Sequence, residues 1–145
     1  MSFKKLLSGF IVSAAALSAK AGVEIRPVLD AENPNAVALV DEESGATFWV
    51  EKTPVVGVDD LASANTWVSK GQAFVGIKLT DDGAKKIQKF TRDHIGERMA
   101  LVVDGRLIKA PTIRDPIRGS ALQIEPLDKT TARQVAKAIN HKTIH

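Results

Sequence analysis

Apolar and polar positions alternate along this chain in two different periods, and the switches between them predict its elements. Val23-Glu24-Ile25-Arg26 alternates with period two, as a half-buried strand does. Asn33-Pro34-Asn35 is a turn signal, and the short apolar run Ala36 to Val40 follows it. Asp41 to Gly45 reads as an acidic turn, and Thr47 to Glu51 is rich in strand formers, so the two runs predict a hairpin. Pro54 to Gly57 is a connector. After it, Leu61, Ala64 and Val68 share one helical face, which predicts a short helix capped by Asp59 or Asp60 and ended by Ser69-Lys70-Gly71.

The second half is more regular. Phe74 to Leu79 reads as a strand, with Gly76 marking a close approach by a neighbour. Thr80 caps a helix whose first turn holds Asp81 and Asp82. Ala84, Ile87, Phe90 and Thr91 face the core; Lys85, Lys86, Lys89 and Arg92 lie on the other side, as a solvated face. Gly96 ends the helix in the left-handed conformation. Met99 to Asp104 is the most apolar strand, Asp104-Gly105 a two-residue hairpin turn, and Arg106 to Ala110 the returning strand, stopped by Pro111. Thr112 to Gly119 is a loop or irregular edge, Ala121 to Glu125 a strand, and Pro126-Leu127-Asp128 a turn. Thr130 or Thr131 caps the last helix, with Ala132, Val135, Ala136 and Ile139 as its apolar stripe. Two helices, each with a single apolar face, need a sheet to pack on. The expected class is α+β: a two-layer sandwich, mainly antiparallel, with both helices on one face and a β-rich N-terminal extension.

Residues 1–21 change the picture of compartment and charge. Lys4 and Lys5 precede an apolar run from Leu6 to Leu17, and Ala19-Lys20-Ala21 has the small-x-small pattern. These are the parts of a signal peptide cleaved before Gly22, and the apolar run is short for a membrane crossing. The formal charge of +3 then resides in the removed segment, since Lys4, Lys5 and Lys20 all lie there. A neutral remainder argues against nucleic acid as a partner. Its charge is unevenly spread: 11 acidic and 4 basic residues over 22–82, against 6 acidic and 13 basic over 83–145. The expectation is that the halves neutralise each other within one domain. The chain has no cysteine, which excludes disulfides and thiol chemistry.

The run from Phe74 through Ile113 resembles the head of the first periplasmic domain in the SecD/SecDF protein-export family. Thr80, Gly83, Ala84, Phe90, Thr91, Ile95, Gly96, Ala100, Val103, Asp104, Gly105, Ala110, Pro111 and Ile113 fit the family's pattern, and Ile117, Gly119, Ile124 and the closing helix continue it. The likeness covers about residues 55–140. It departs at Gly119-Ser120, where the family has paired glycines, and at Glu125-Pro126, where it has a glycine. The resemblance implies a head without the membrane bundle or its proton-relay acid: signal peptide 1–21, β-rich segment 22–54, head 55–140, tail 141–145.

Candidate chemistry is sparse. His94, beside Asp93 and near Glu97, reads as a partly buried structural histidine rather than a metal ligand. Gly119-Ser120 lacks the setting of a nucleophilic serine, and no glycine-rich phosphate loop is present. No catalytic residue, metal or cofactor is expected. Trp49 and Trp67 are expected in the core or at a seam, with an exposed partner anchor as the alternative. Arg106, Lys109, Arg114 and Arg118 cluster around the hairpin and the loop after it, and they are the candidate binding residues. Thr80, Gly83, Gly96, Asp104, Gly105, Pro111 and Gly119 are the structural residues of the family pattern. The expected function is a periplasmic, non-catalytic module that contacts an extended polypeptide or a protein partner, in the Sec translocon or another envelope complex. The alternatives are a subunit or inhibitor of an unrelated envelope complex and, more weakly, a small hydrolase.

Overall fold

Eight strands and two helices follow one another in a computed structural model that describes residues 22–140, so residues 1–21, where a signal peptide is expected, and the expected tail at 141–145 lie outside the described residues. The strands are β1 (Val23–Leu29), β2 (Ala36–Val40), β3 (Thr47–Glu51), β4 (Leu61–Ser69), β5 (Gln72–Leu79), β6 (Met99–Val103), β7 (Arg106–Lys109) and β8 (Ala121–Leu127). Helix α1 spans Asp81–Asp93 and α2 spans Lys129–Asn140. All pairings are antiparallel, and the class is α+β, as the periodicity predicts. The strands divide into two sheets, ordered β2-β3-β1-β6-β7 and β4-β5-β8.

The main core lies between these sheets and the two helices. It joins Val23, Ile25, Leu101 and Val103 of the first sheet to Val75, Ile77, Leu122 and Ile124 of the second, with Ala84, Ile87, Val135 and Ile139 from the helices. The five-stranded sheet also buries its other face. There Val37, Leu39 and Val50 pack with Ala100, Val102 and Leu107 as the β2–β3 hairpin curls over. Arg106 pairs with Glu42 at 2.9 Å and Lys109 with Glu43 at 3.3 Å, so the turn after β2 is tied to β7. These contacts, with Lys86 to Asp60 at 3.1 Å, join the acidic and basic halves within one fold.

One predicted element is overturned. Leu61 to Ser69 is strand β4, preceded by a single 3-10 turn at Val58–Asp60. The helical spacing of Leu61, Ala64 and Val68 yields to pairing with β5, whose register runs from Leu61↔Leu79 to Ser69↔Gln72. Lys70 and Gly71, read as the end of a helix, both have positive φ (53° and 80°) and form the two-residue turn of a hairpin. The other hairpins match expectation, and Asp104 (φ 50°) and Gly105 (φ 84°) make the same kind of turn. β8 runs past its predicted end to Leu127, because its pairing with β5 shifts register between Ile124 and Leu127, and an irregularity there accommodates Pro126.

Helix starts are local. Thr80 Oγ1 accepts from Gly83 N at 3.1 Å, the expected cap of α1. The second cap differs from expectation: Asp128, not a threonine, accepts from Thr131 N at 2.8 Å, and Thr131 supplies the donor.

Candidate functional site

A groove of about 260 Å³ lies between β8 and the loop that follows β7. Its apolar lining is Met99, Ile113, Ile117, Leu122 and Ile124, with Arg114 and Asp115 along the loop side. The loop is held against the fold along its length. Met99 N donates to Pro111 O at 3.0 Å, Gly96 N to Ile113 O at 2.7 Å, and Ile113 N to Glu97 O at 2.7 Å. Ile117 N donates to the buried Thr91 Oγ1 at 2.9 Å, and Gln88 Nε2 donates to Gly119 O at 3.2 Å. Arg98 adds a bond to Ala110 O at 2.6 Å while its guanidinium lies 5.3 Å from the centre of the Phe48 ring. Thr91 in turn donates to Ile87 O at 2.7 Å, so one buried hydroxyl joins α1 to the groove.

The opposite wall is an open strand edge. β8 pairs with β5 on one side only. Leu79 N donates to Ser120 O at 2.7 Å, which makes Leu122 and Ile124 the residues that bond to β5. Ala121 and Gln123 therefore point their N–H and C=O groups away from β5, along the groove. No other described residue bonds to them. Their side chains are exposed, while Leu122 and Ile124 are buried beneath.

The structure separates the four basic candidates. Arg114 and Arg118 are exposed on the groove loop, and neither forms an ion pair among the described residues. Arg106 and Lys109 are engaged with Glu42 and Glu43 and line a different, polar groove of about 450 Å³ beside Asp128 and Gln134. The apolar floor is not legible in the sequence, because Met99 on β6, Ile113 and Ile117 on the loop, and Leu122 and Ile124 on β8 stand on three segments that only the fold brings together. The mixed signal at Thr112 to Gly119, apolar residues inside a loop, was the available hint.

Other singled-out residues fall into place as structure. His94 Nδ1 lies 2.8 Å from Phe90 O, and its ring stacks on Phe90 with centroids 4.3 Å apart. Lys89 and Arg92 reach Asp93 at 3.0 and 3.4 Å, and the bond from Lys89 is the main cause holding that exposed carboxyl below its usual range. Trp49 is half-buried, whereas Trp67 is 38% exposed and stacks on Phe74 at 5.6 Å on the outer face of the small sheet. Core packing of Trp67 is thus corrected. Its ring lies across Gly76, where an added Cβ would meet Trp67 Cζ3 at 3.1 Å, the close approach the glycine signalled.

An antiparallel α+β head with an open edge strand and an anchored loop places the chain in a defined class. The family model described as SecDF, P1 head subdomain, matches residues 35–142, and the chain belongs to that family. It is 32% identical over 112 residues to the protein translocase subunit SecD of Aquifex aeolicus, covering 70% of this chain and 22% of that protein. It is 41% identical over 75 residues to the SecDF of Thermus thermophilus, covering 51% of this chain and 10% of that one. The chain thus spans 22% and 10% of these two relatives' lengths, under a quarter of either. Among solved structures, SecDF in its super-membrane-facing form aligns with TM-score 0.65 and 25% identity, covering 88% of this chain and 19% of that one. A second, described as a membrane component SecDF that enhances protein export, aligns with TM-score 0.63 and 26% identity, covering 83% and 62%. No helix among the described residues is long and apolar enough to cross a membrane.

Proposed function

We propose that this chain is a periplasmic, non-catalytic binding module of protein export, and that it holds an extended polypeptide segment in the groove between β8 and the 111–119 loop. The observation that carries this reading is the pair of outward-facing main-chain groups at Ala121 and Gln123, set over an apolar floor. An extended chain can add to such an edge, with main-chain hydrogen bonds providing affinity and the floor accepting alternate side chains. This sequence-tolerant recognition suits an unfolded client. Membership of the SecDF head family, and a relative described as enhancing protein export, point to the same setting. The exposed Arg114 and Arg118 favour clients with acidic residues.

The test is binding of a fluorescent, reduced and unfolded polypeptide by anisotropy. Gln123→Pro removes one outward N–H and leaves the β5 ladder intact, and it should weaken binding about tenfold, as loss of about one hydrogen bond plus steric blockage predicts. Charge reversal at Arg114 and Arg118 should weaken binding of acidic clients without lowering the melting temperature. Affinity indifferent to all three changes would remove the groove as the site. Capture of a single folded, stoichiometric envelope protein instead of unfolded chains would replace this reading by the subunit alternative.

A further inference from the structure

The second open edge of the small sheet is β4, and it lacks the usual protection. It runs nine residues from Leu61 to Ser69, with no charge, no proline and no glycine among them. Edge strands commonly carry such features to block pairing with other chains. Among the described residues its one main-chain cover is local: Asn140 Oδ1 accepts from Ala64 N at 2.9 Å, and Asn140 Nδ2 donates to Ala64 O at 2.8 Å. Because Ala64 turns both main-chain groups away from β5, Thr66 and Val68, two and four residues on, do the same. No described residue bonds to them. The side chains there are apolar and open, with Trp67 38% and Val68 57% exposed.

We propose that β4 pairs antiparallel with β4 of a second copy of this chain, about a two-fold axis at Trp67. The register follows from what each alternative meets. Pairing Thr66 with the partner's Thr66 would set Val68 against the partner's Ala64, which Asn140 already occupies. Pairing Val68 with the partner's Val68 would set Thr66 against the partner's Lys70, where the chain has entered its turn. Pairing Thr66 with the partner's Val68 uses every free outward group and makes about four main-chain hydrogen bonds. Trp67 then faces the partner's Trp67 as a non-hydrogen-bonded pair, with Cα atoms about 4.5 Å apart. The partner's Lys70 falls opposite Ala64, beside the C-terminal end of α2, where the helix dipole favours a cation. Lys70 is exposed and has no ion pair among the described residues. The joined sheet would run β8-β5-β4-β4-β5-β8 and leave both client edges free. A contact this small is well below the usual interface of about 1,600 Å², so the dimer is weak and concentration-dependent.

Sedimentation velocity of the full chain over a concentration series should show a reversible monomer–dimer equilibrium. Thr66→Pro removes an outward N–H twice over in the dimer, keeps the β5 ladder, and should raise the dissociation constant by about tenfold or more. The chain has no cysteine, so Trp67→Cys reports the register directly. It should cross-link under mild oxidation, because facing non-hydrogen-bonded positions lie within disulfide reach. Ser63→Cys, on the same face but outside the register, should not. A monomer at every concentration, a dimer untouched by Thr66→Pro, or equal cross-linking at both positions would overturn the proposal. If Thr66→Pro fails to fold, the two cysteine variants decide.

Discussion

The hydroxyl of Thr91, wholly buried, accepts the amide proton of Ile117 at 2.9 Å and so fastens the groove loop to helix α1. Thr91→Val keeps the shape but leaves that amide without its partner. An unsatisfied buried donor costs about 1–3 kcal/mol. The variant should lose about that much unfolding free energy in a urea titration, and exchange of the Ile117 amide should accelerate. Polypeptide affinity should fall further than stability alone explains. Unchanged exchange at Ile117 would show that the loop is held by other contacts.

Gly83 decides a contest between helix propensity and packing. Alanine in a helix interior is ordinarily better than glycine by about 1 kcal/mol. Here an added Cβ would sit 2.5 Å from Asp60 O, a backbone atom of the 3-10 turn that α1 packs against. Thr80 N also donates to that oxygen at 3.0 Å, so it cannot simply move away. Overpacking of this kind costs about 1–3 kcal/mol, and Gly83→Ala should destabilise. A stabilised variant in chemical denaturation would refute the packing argument.

Glu24 and Arg26 form an ion pair at 2.6 Å with each side chain about 3–4% exposed. Arg26 also donates to the carbonyls of Glu51 and Lys52, where β3 leaves the ladder. Arg26→Met strands the Glu24 carboxylate and should cost about 3–5 kcal/mol. The double replacement Glu24→Leu with Arg26→Met should be less damaging than Arg26→Met alone, since no charge stays buried. Equal losses in a denaturant series would show that the carbonyl contacts, not the charges, dominate.

Asp128 supplies a pH signature. Bonds from Thr131, main chain first and then hydroxyl, hold its exposed carboxyl below the ordinary value of 3.8. A lowered folded pKa adds stability that is present above the unfolded value and is lost as pH falls through the folded one. Asp128→Asn retains an acceptor for Thr131 N but does not titrate. Its melting temperature should therefore fall less steeply than the wild type's on acidification below the usual carboxylate range. Parallel melting curves across that window would show that the cap has no such role.

Legibility followed the range of the interaction. The β2–β3 hairpin, the Thr80 cap and the Asp104-Gly105 turn rest on contacts a few residues apart, and each stands where the residue pattern puts it. Gly96 does take the left-handed conformation, but α1 already ends at Asp93 with His94 as its cap, and the Gly96 amide bonds to Ile113 O across the fold. β4 is not legible locally, because Leu61, Ala64 and Val68 fit a helical face about as well as a strand, and only pairing with β5 arbitrates. The basic set was half legible. Arg114 and Arg118 lie exposed on the groove loop with no ion pair among the described residues, but Arg106 and Lys109 are met by Glu42 and Glu43, 64 and 66 residues away in sequence.

By itself the sequence determined the α+β class, the two amphipathic helices and the SecDF head pattern, because caps, turns and periodicity are local and survive any tertiary arrangement. Only the tertiary structure decided which strand edges stay open and which charges are already spent. Those depend on long-range pairing: β8 and β4 are edges because the chain splits its strands between two sheets, and no short-range signal announces that division.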